Sequence, residues 1–195
     1  LVCEAGWRSM DGDFDLARVL IERSRAITEG LGLRWAVAVG EEAFGLIEMY
    51  AGDPVAAERA FRKHYTLLVE IGDESHASMG AAELARSLCW LGRFDEAEGY
   101  ARIARETAAD DDLAPQVVGR SAQALVLAAR GDLGGAERTA RDAVEMFADA
   151  QAPNIQGDLW FDLANPDRPV RGEIYSGRNG PGAQERLPLV RDSGG

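Results

Sequence analysis

A chain of 195 residues, 46% hydrophobic and 28% charged, is long enough for one folded domain with a tail, and this composition excludes a wholly disordered polymer. Its net charge of -12 offers no positive field to phosphate backbones, so nucleic acid is not expected as a partner. Two cysteines, Cys3 and Cys89, make neither a disulfide framework nor a metal-ligand spacing, and no apolar run approaches the ~20 residues of a membrane helix. With no secretory signal, the expected location is cytoplasmic, away from any membrane. A single lysine, Lys63, among twenty arginines fits a GC-rich bacterial source. The chain opens at Leu1 inside what reads as the first helix of a repeat, which points to a piece of a longer polypeptide.

In chain order, Leu1 to Met10 is the end of a helix, stopped by Asp11-Gly12-Asp13. From Phe14 a second helix places Ala17, Leu20, Ile21, Ser24 and Thr28 on one face, and Gly30-Leu31-Gly32 closes it. A third helix, about Trp35 to Tyr50, stops at Gly52, and Asp53-Pro54 restarts the chain with a capping acid and a proline at the first helical position. Its continuation lines up Ala57, Ala60, Phe61, His64, Leu68 and Ile71 as a buried stripe. The next pair runs from about Ser75 to Trp90 and from Phe94 to Thr107, where Asp110-Asp111-Asp112 makes a solvated break. A further pair covers about Pro115 to Ala129 and Leu133 to Ala148, with Ala136, Ala140, Ala143, Val144 and Phe147 inward.

These elements repeat one phrase, a turn glycine followed five residues later by an alanine: Gly12 and Ala17, Gly52 and Ala57, Gly92 and Ala97, Gly131 and Ala136. The glycines stand 40, 40 and 39 residues apart, the signature of a stacked helical array. Twelve residues before each alanine lies another small residue, Ala5, Gly45, Ala85 or Ala124. Paired small residues let two helices approach closely. Gly40, Gly80, Gly119 and Gly157 recur near the same spacing.

A fifth unit begins at Gly157 and then breaks. Residues 165–195 hold six glycines, four prolines and five arginines without helical period, and read as a disordered tail of charge +1 beside a body (1–164) of -13. The abrupt change is either a natural tail or, as expected here, a truncated or frame-shifted end, since it removes the helix that Trp160 and Leu163 would pack against.

Helix pairs of this design, over about residues 1–164, resemble the tetratricopeptide repeat (TPR) family, with a period near 40 instead of the family's ~34. The phrases Gly12-Asp13-Phe14-Asp15-Leu16-Ala17 and Gly131-Asp132-Leu133-Gly134-Gly135-Ala136, with Gln156-Gly157-Asp158, look like the C-terminal arrays of large bacterial signalling proteins. In those, the array follows an adenylate or guanylate cyclase domain and an ATPase module, or belongs to a LuxR-type regulator with an ATPase module. The resemblance implies an all-α, right-handed α-solenoid of antiparallel helix pairs, about four repeats plus a broken fifth. It also implies a concave face lined by first helices, where Glu42, Leu46, Met49, Tyr50, Met79, Ala82, Arg86, Trp90, Ser121 and Leu125 fall. From these, Glu42, Leu46, Met49, Tyr50, Met79, Arg86, Trp90 and Leu125 form the expected partner-binding set, against the alternative that each is ordinary packing between helices.

Several signals mimic chemistry. Asp11, Asp13, Asp15 and Glu22 reproduce the acids of a calcium loop, but Leu16 stands where the bend requires glycine, and helix capping accounts for them. His64 reads as a partly buried packing imidazole and His76 as an exposed one, twelve residues apart and without zinc spacing. Cys89 has no histidine in reach along the chain and reads as a structural thiol. Arg130-Gly131-Asp132 is a turn, and Gly30 and Gly32 do not follow a strand as a dinucleotide fingerprint would. No phosphate loop or cyclase metal pair is present, so no cofactor is expected. The expected function is non-catalytic binding of a protein or peptide in the groove, within a polypeptide that also carries catalytic or ATPase domains. The alternative is small-molecule sensing that controls a linked cyclase, ATPase or DNA-binding module.

Overall fold

The computed structural model describes residues 1–164; the tail expected over 165–195 lies outside the described residues. Among the described residues the fold is all-α, and no helix is long and apolar enough to cross a membrane. The helices are α1 (Val2–Met10), α2 (Phe14–Gly30), α3 (Arg34–Ala51), α4 (Pro54–Ile71), α5 (Glu74–Trp90), α6 (Phe94–Thr107), α7 (Leu113–Ala129), α8 (Leu133–Met146) and α9 (Pro153–Ala164).

Their ends follow from a two-residue grammar that recurs along the chain. Gly12, Gly32, Gly52, Gly72, Gly92 and Gly131 all have positive φ, so the turns from Gly12 to Gly92 fall every twenty residues, half the spacing expected from sequence. At Gly52 (φ 84°) the left-handed backbone lets Asp53 N–H reach back to the Glu48 carbonyl at 2.8 Å, which closes α3. The next residue then caps the following helix. Asp53 accepts from Ala56 N–H at 2.9 Å, Asp73 from His76 N–H at 3.1 Å, and Asp132 from Gly135 N–H at 2.9 Å. Asp13 does the same for Leu16 at 3.2 Å, so this acidic stretch caps a helix, each such cap contributing about 1 kcal/mol. The α6–α7 connection breaks the grammar: Ala108 is extended, and Gln116 Nε2 donates to the Ala109 carbonyl at 3.0 Å to hold the Asp-rich turn.

Helices pack against neighbours one or two places along the chain: α1 on α2 and α3, α5 on α4, α6 and α7, and α7 on α8 and α9. The apolar residues accordingly form a row of four adjoining clusters, from Ala5, Ala17, Ile21 and Ile47 at one end to Val117, Val144, Phe147 and Leu159 at the other. Both expected small-residue ladders are buried throughout: Ala5, Gly45, Ala85 and Ala124, and Ala17, Ala57, Ala97 and Ala136. The reason is close approach. A Cβ on Gly45 would lie 2.5 Å from the Phe61 ring, and one on Gly80 would lie 2.7 Å from the His64 ring. The third ladder ends early, since Gly157 is exposed, and Ile71 at the end of α4 faces solvent where burial was expected.

Candidate functional site

α5 occupies the middle of the array and is buried along nearly its whole length from Ala77 to Trp90. A helix buried all round should be apolar all round. Two charged residues break that rule here, Glu83 and Arg86, three residues apart and so on one face. Their register makes them conspicuous. Forty residues before and thirty-nine after, Glu83 corresponds to Ala43 and Ala122, and Arg86 to Leu46 and Leu125. The central repeat thus carries an ion pair's worth of charge where the flanking repeats place aliphatic side chains.

Arg86 is held by α9. Its Nη1 donates to Asp158 Oδ2 at 2.9 Å and its Nε to Asp162 Oδ2 at 3.1 Å. The same Asp162 oxygen accepts from Ser121 Oγ of α7 at 2.6 Å, and Tyr50 of α3 lies with its hydroxyl 3.4 Å from Asp158 Oδ2. α9 itself is steered into place by Gln156, whose Nε2 donates to the carbonyls of Phe147, Ala148 and Ala150 at 2.9–3.1 Å. Trp90 of α5 stacks on Phe161 of α9, centroids 6.4 Å apart. Side chains of α3, α5, α7 and α9 therefore converge on one point.

Between them lies a small cleft lined by Leu46, Met49, Tyr50, Phe61, Glu83, Arg86, Trp90, Asp158 and Phe161. It is partly open, and about 20 Å³ is free for the centres of water-sized groups, room for one or two of them. Gly45 helps to form it, because the absent side chain is what admits Phe61.

The electrostatics of the cleft are unbalanced. Glu41, Glu48 and Glu58 are buried elsewhere in the array, and each has a basic partner: Arg25 at 2.6 Å, Arg18 at 2.6 Å and Arg62 at 2.6 Å respectively. Glu83 is 5% exposed, and its Oε2 has no hydrogen-bond partner among the described residues. Burial pushes its carboxyl well above the usual range, and nearby Glu42 adds to the effect. Burial also raises Asp162, against the pull of Arg86 and the Ser121 hydrogen bond, and its Oδ1 has no partner among the described residues. Arg86 stays charged, since the attraction of Asp162 and Asp158 outweighs its own desolvation.

Of the eight residues expected to bind a partner, Leu46, Met49, Tyr50, Arg86 and Trp90 meet at this cleft. Glu42 stands beside it, half-buried on α3. Met79 packs instead against the cluster around Val117 and Val118, and Leu125 is core at 1% exposure. Sequence reasoning did not single out Glu83, Asp158, Phe161 or Asp162. The register mismatch of Glu83 was a usable signal for the first, whereas the other three required knowing how α9 docks.

The remaining candidate groups are structural. His64 is 1% exposed, more buried than expected, with Nδ1 2.8 Å from the Ala38 carbonyl, which fixes Nδ1 as the protonated nitrogen. His76 is exposed beside Asp73 at 3.0 Å. Cys89 Sγ lies 3.5 Å from the Ala122 carbonyl, and burial pushes its thiol far above the ordinary value. Among the described residues no group of three or more His, Cys, Asp or Glu is placed to hold a metal ion. Comparison with protein-family models and with curated proteins gave no match.

Proposed function

We propose that the chain is a non-catalytic, TPR-like segment of a larger cytoplasmic bacterial signalling protein, a right-handed solenoid that holds a protein or peptide along its inner face. The observation that carries this is the meeting of Leu46, Met49, Tyr50, Arg86 and Trp90, from two successive repeats, around one cleft. A mixed aromatic, aliphatic and arginine surface is the composition from which binding hot spots are built. Trp7 and Met10 on α1 and Trp160 on α9, exposed at 73%, 79% and 59%, supply separate apolar contacts for linked catalytic or ATPase domains. The inert environment of Cys89 and the occupied Nδ1 of His64 support a role without chemistry. The test is capture of the parent protein's own upstream module by this segment. Trp90→Ala and Tyr50→Ala should each weaken it tenfold or more with the helical circular dichroism intact; unchanged capture by both removes the assignment.

A second reading, a small-molecule sensor controlling the linked module, is favoured by Glu83, whose oxygen, unpartnered among the described residues, lines a partly open cleft with room for the head group of a ligand. A ligand that binds only the folded form must raise its melting temperature, so a metabolite screen read by thermal shift tests this directly.

A further inference from the structure

The cleft's make-up says which ligand chemistry it would take. Three carboxyl groups, Glu83, Asp158 and Asp162, surround one arginine, and Arg86 is already engaged by the two aspartates. An anion entering here meets carboxyl oxygens and finds the one arginine already taken. An apolar group leaves Glu83 Oε2 unanswered, and an unsatisfied buried acceptor is costly; a neutral hydroxyl supplies the hydrogen bond but no countercharge. A cation answers it. The walls agree, since Leu46, Met49 and Phe61 suit an alkyl chain. Size narrows the choice further. Room for one or two water-sized groups admits an –NH₃⁺ head and excludes a trimethylammonium without displacement of the walls.

We propose that the cleft between α3, α5 and α9 binds a primary ammonium group on an unbranched alkyl stem, with Glu83 as its counter-ion. This rests on the second reading above, that the cleft takes a ligand, and names the class. The flanking repeats explain why only this one is equipped: with Ala43 and Ala122 in place of Glu83, and Leu46 and Leu125 in place of Arg86, their equivalents carry no buried charge to answer.

The experiment is calorimetric titration and thermal shift of the full chain with n-butylammonium, butyltrimethylammonium, n-butanol and butyrate at matched ionic strength. Butylammonium is expected to bind and to raise the melting temperature, with the other three at least tenfold weaker. Glu83→Gln, nearly isosteric, should lose tenfold or more in affinity while keeping the fold. Equal binding by E83Q, equal binding of butanol, or no binding of butylammonium overturns the proposal. Tighter binding of butyrate or butanol, lost on Trp90→Ala, would refute the ammonium class and leave the ligand-binding reading standing. Failure of every charge class would remove both. Nα-acetyl-lysine methylamide locates the source: tighter than butylammonium, it assigns the ammonium to a partner's lysine, and weaker, to a free amine, either result requiring the Glu83 dependence.

Discussion

Two buried titratable residues give the stability of this molecule opposite slopes with pH. Burial lowers His64 from the imidazole range near ~6.5, so the unfolded chain binds its proton first. Its contribution is full above that range and is lost as pH falls through it. Glu83 is raised from the carboxylate range near ~4.3, so the folded chain keeps its proton longer, and stability is lost as pH rises through the raised value. Melting temperatures between pH 5 and 8.5 should separate the two. His64→Leu should flatten the acidic limb, and Glu83→Ala, which restores the residue of the flanking repeats, should flatten the alkaline limb. Above the raised value the Glu83→Ala chain is expected to be more stable by about 1 kcal/mol, the cost of an unanswered buried polar group less the lost packing. A stabilising change that also abolishes ammonium binding is the behaviour of a residue kept for function.

At the scale of the helix, close packing of α3 on α4 depends on Gly45. Gly45→Ala gains up to ~1 kcal/mol in helix propensity but forces a methyl group against the Phe61 ring, an overpacking cost of about 1–3 kcal/mol. Gly99, inside α6, has nothing within 4 Å of a built Cβ, so Gly99→Ala should stabilise by about 0.5–1 kcal/mol. Urea denaturation of both variants should give shifts of opposite sign; a stabilised Gly45→Ala would refute the contact. Much of this layer was legible in the sequence, because the turn glycines, capping aspartates and small-residue ladders act locally and recur. What was not legible is what depends on more than one helix. The start of α9 at Pro153, ahead of the expected Gly157, is set by Gln156 reaching three carbonyls at the end of α8, a contact no periodicity encodes. The twenty-residue rhythm was half hidden as well, since Gly32 is followed five residues on by Val37 where the others have an alanine, and Gly72, which does have Ala77, falls between the turns that set the forty-residue period.

For the whole molecule, Arg86 is the residue that links distant parts, since it joins α5 to α9. Replacing it by alanine leaves Asp158 and Asp162 facing each other without a countercharge, and removal of one partner of a buried pair costs about 3–5 kcal/mol. The expected outcome is release of α9: faster amide exchange from 153 to 164 with protection in α3 and α4 retained. Uniform loss of protection would instead mean a single cooperative unit. Neighbour-to-neighbour packing elsewhere favours the first result, since each helix pair depends mainly on the next.

That packing order also bears on mechanics. Pulled by its ends, a row of helices resting on near neighbours yields link by link and gives little warning between one slip and the next. The grip of Arg86 on α9 acts as a strut between helices four places apart, so the stretch from α5 to α9 should extend last and in one step, as a force–extension trace would record.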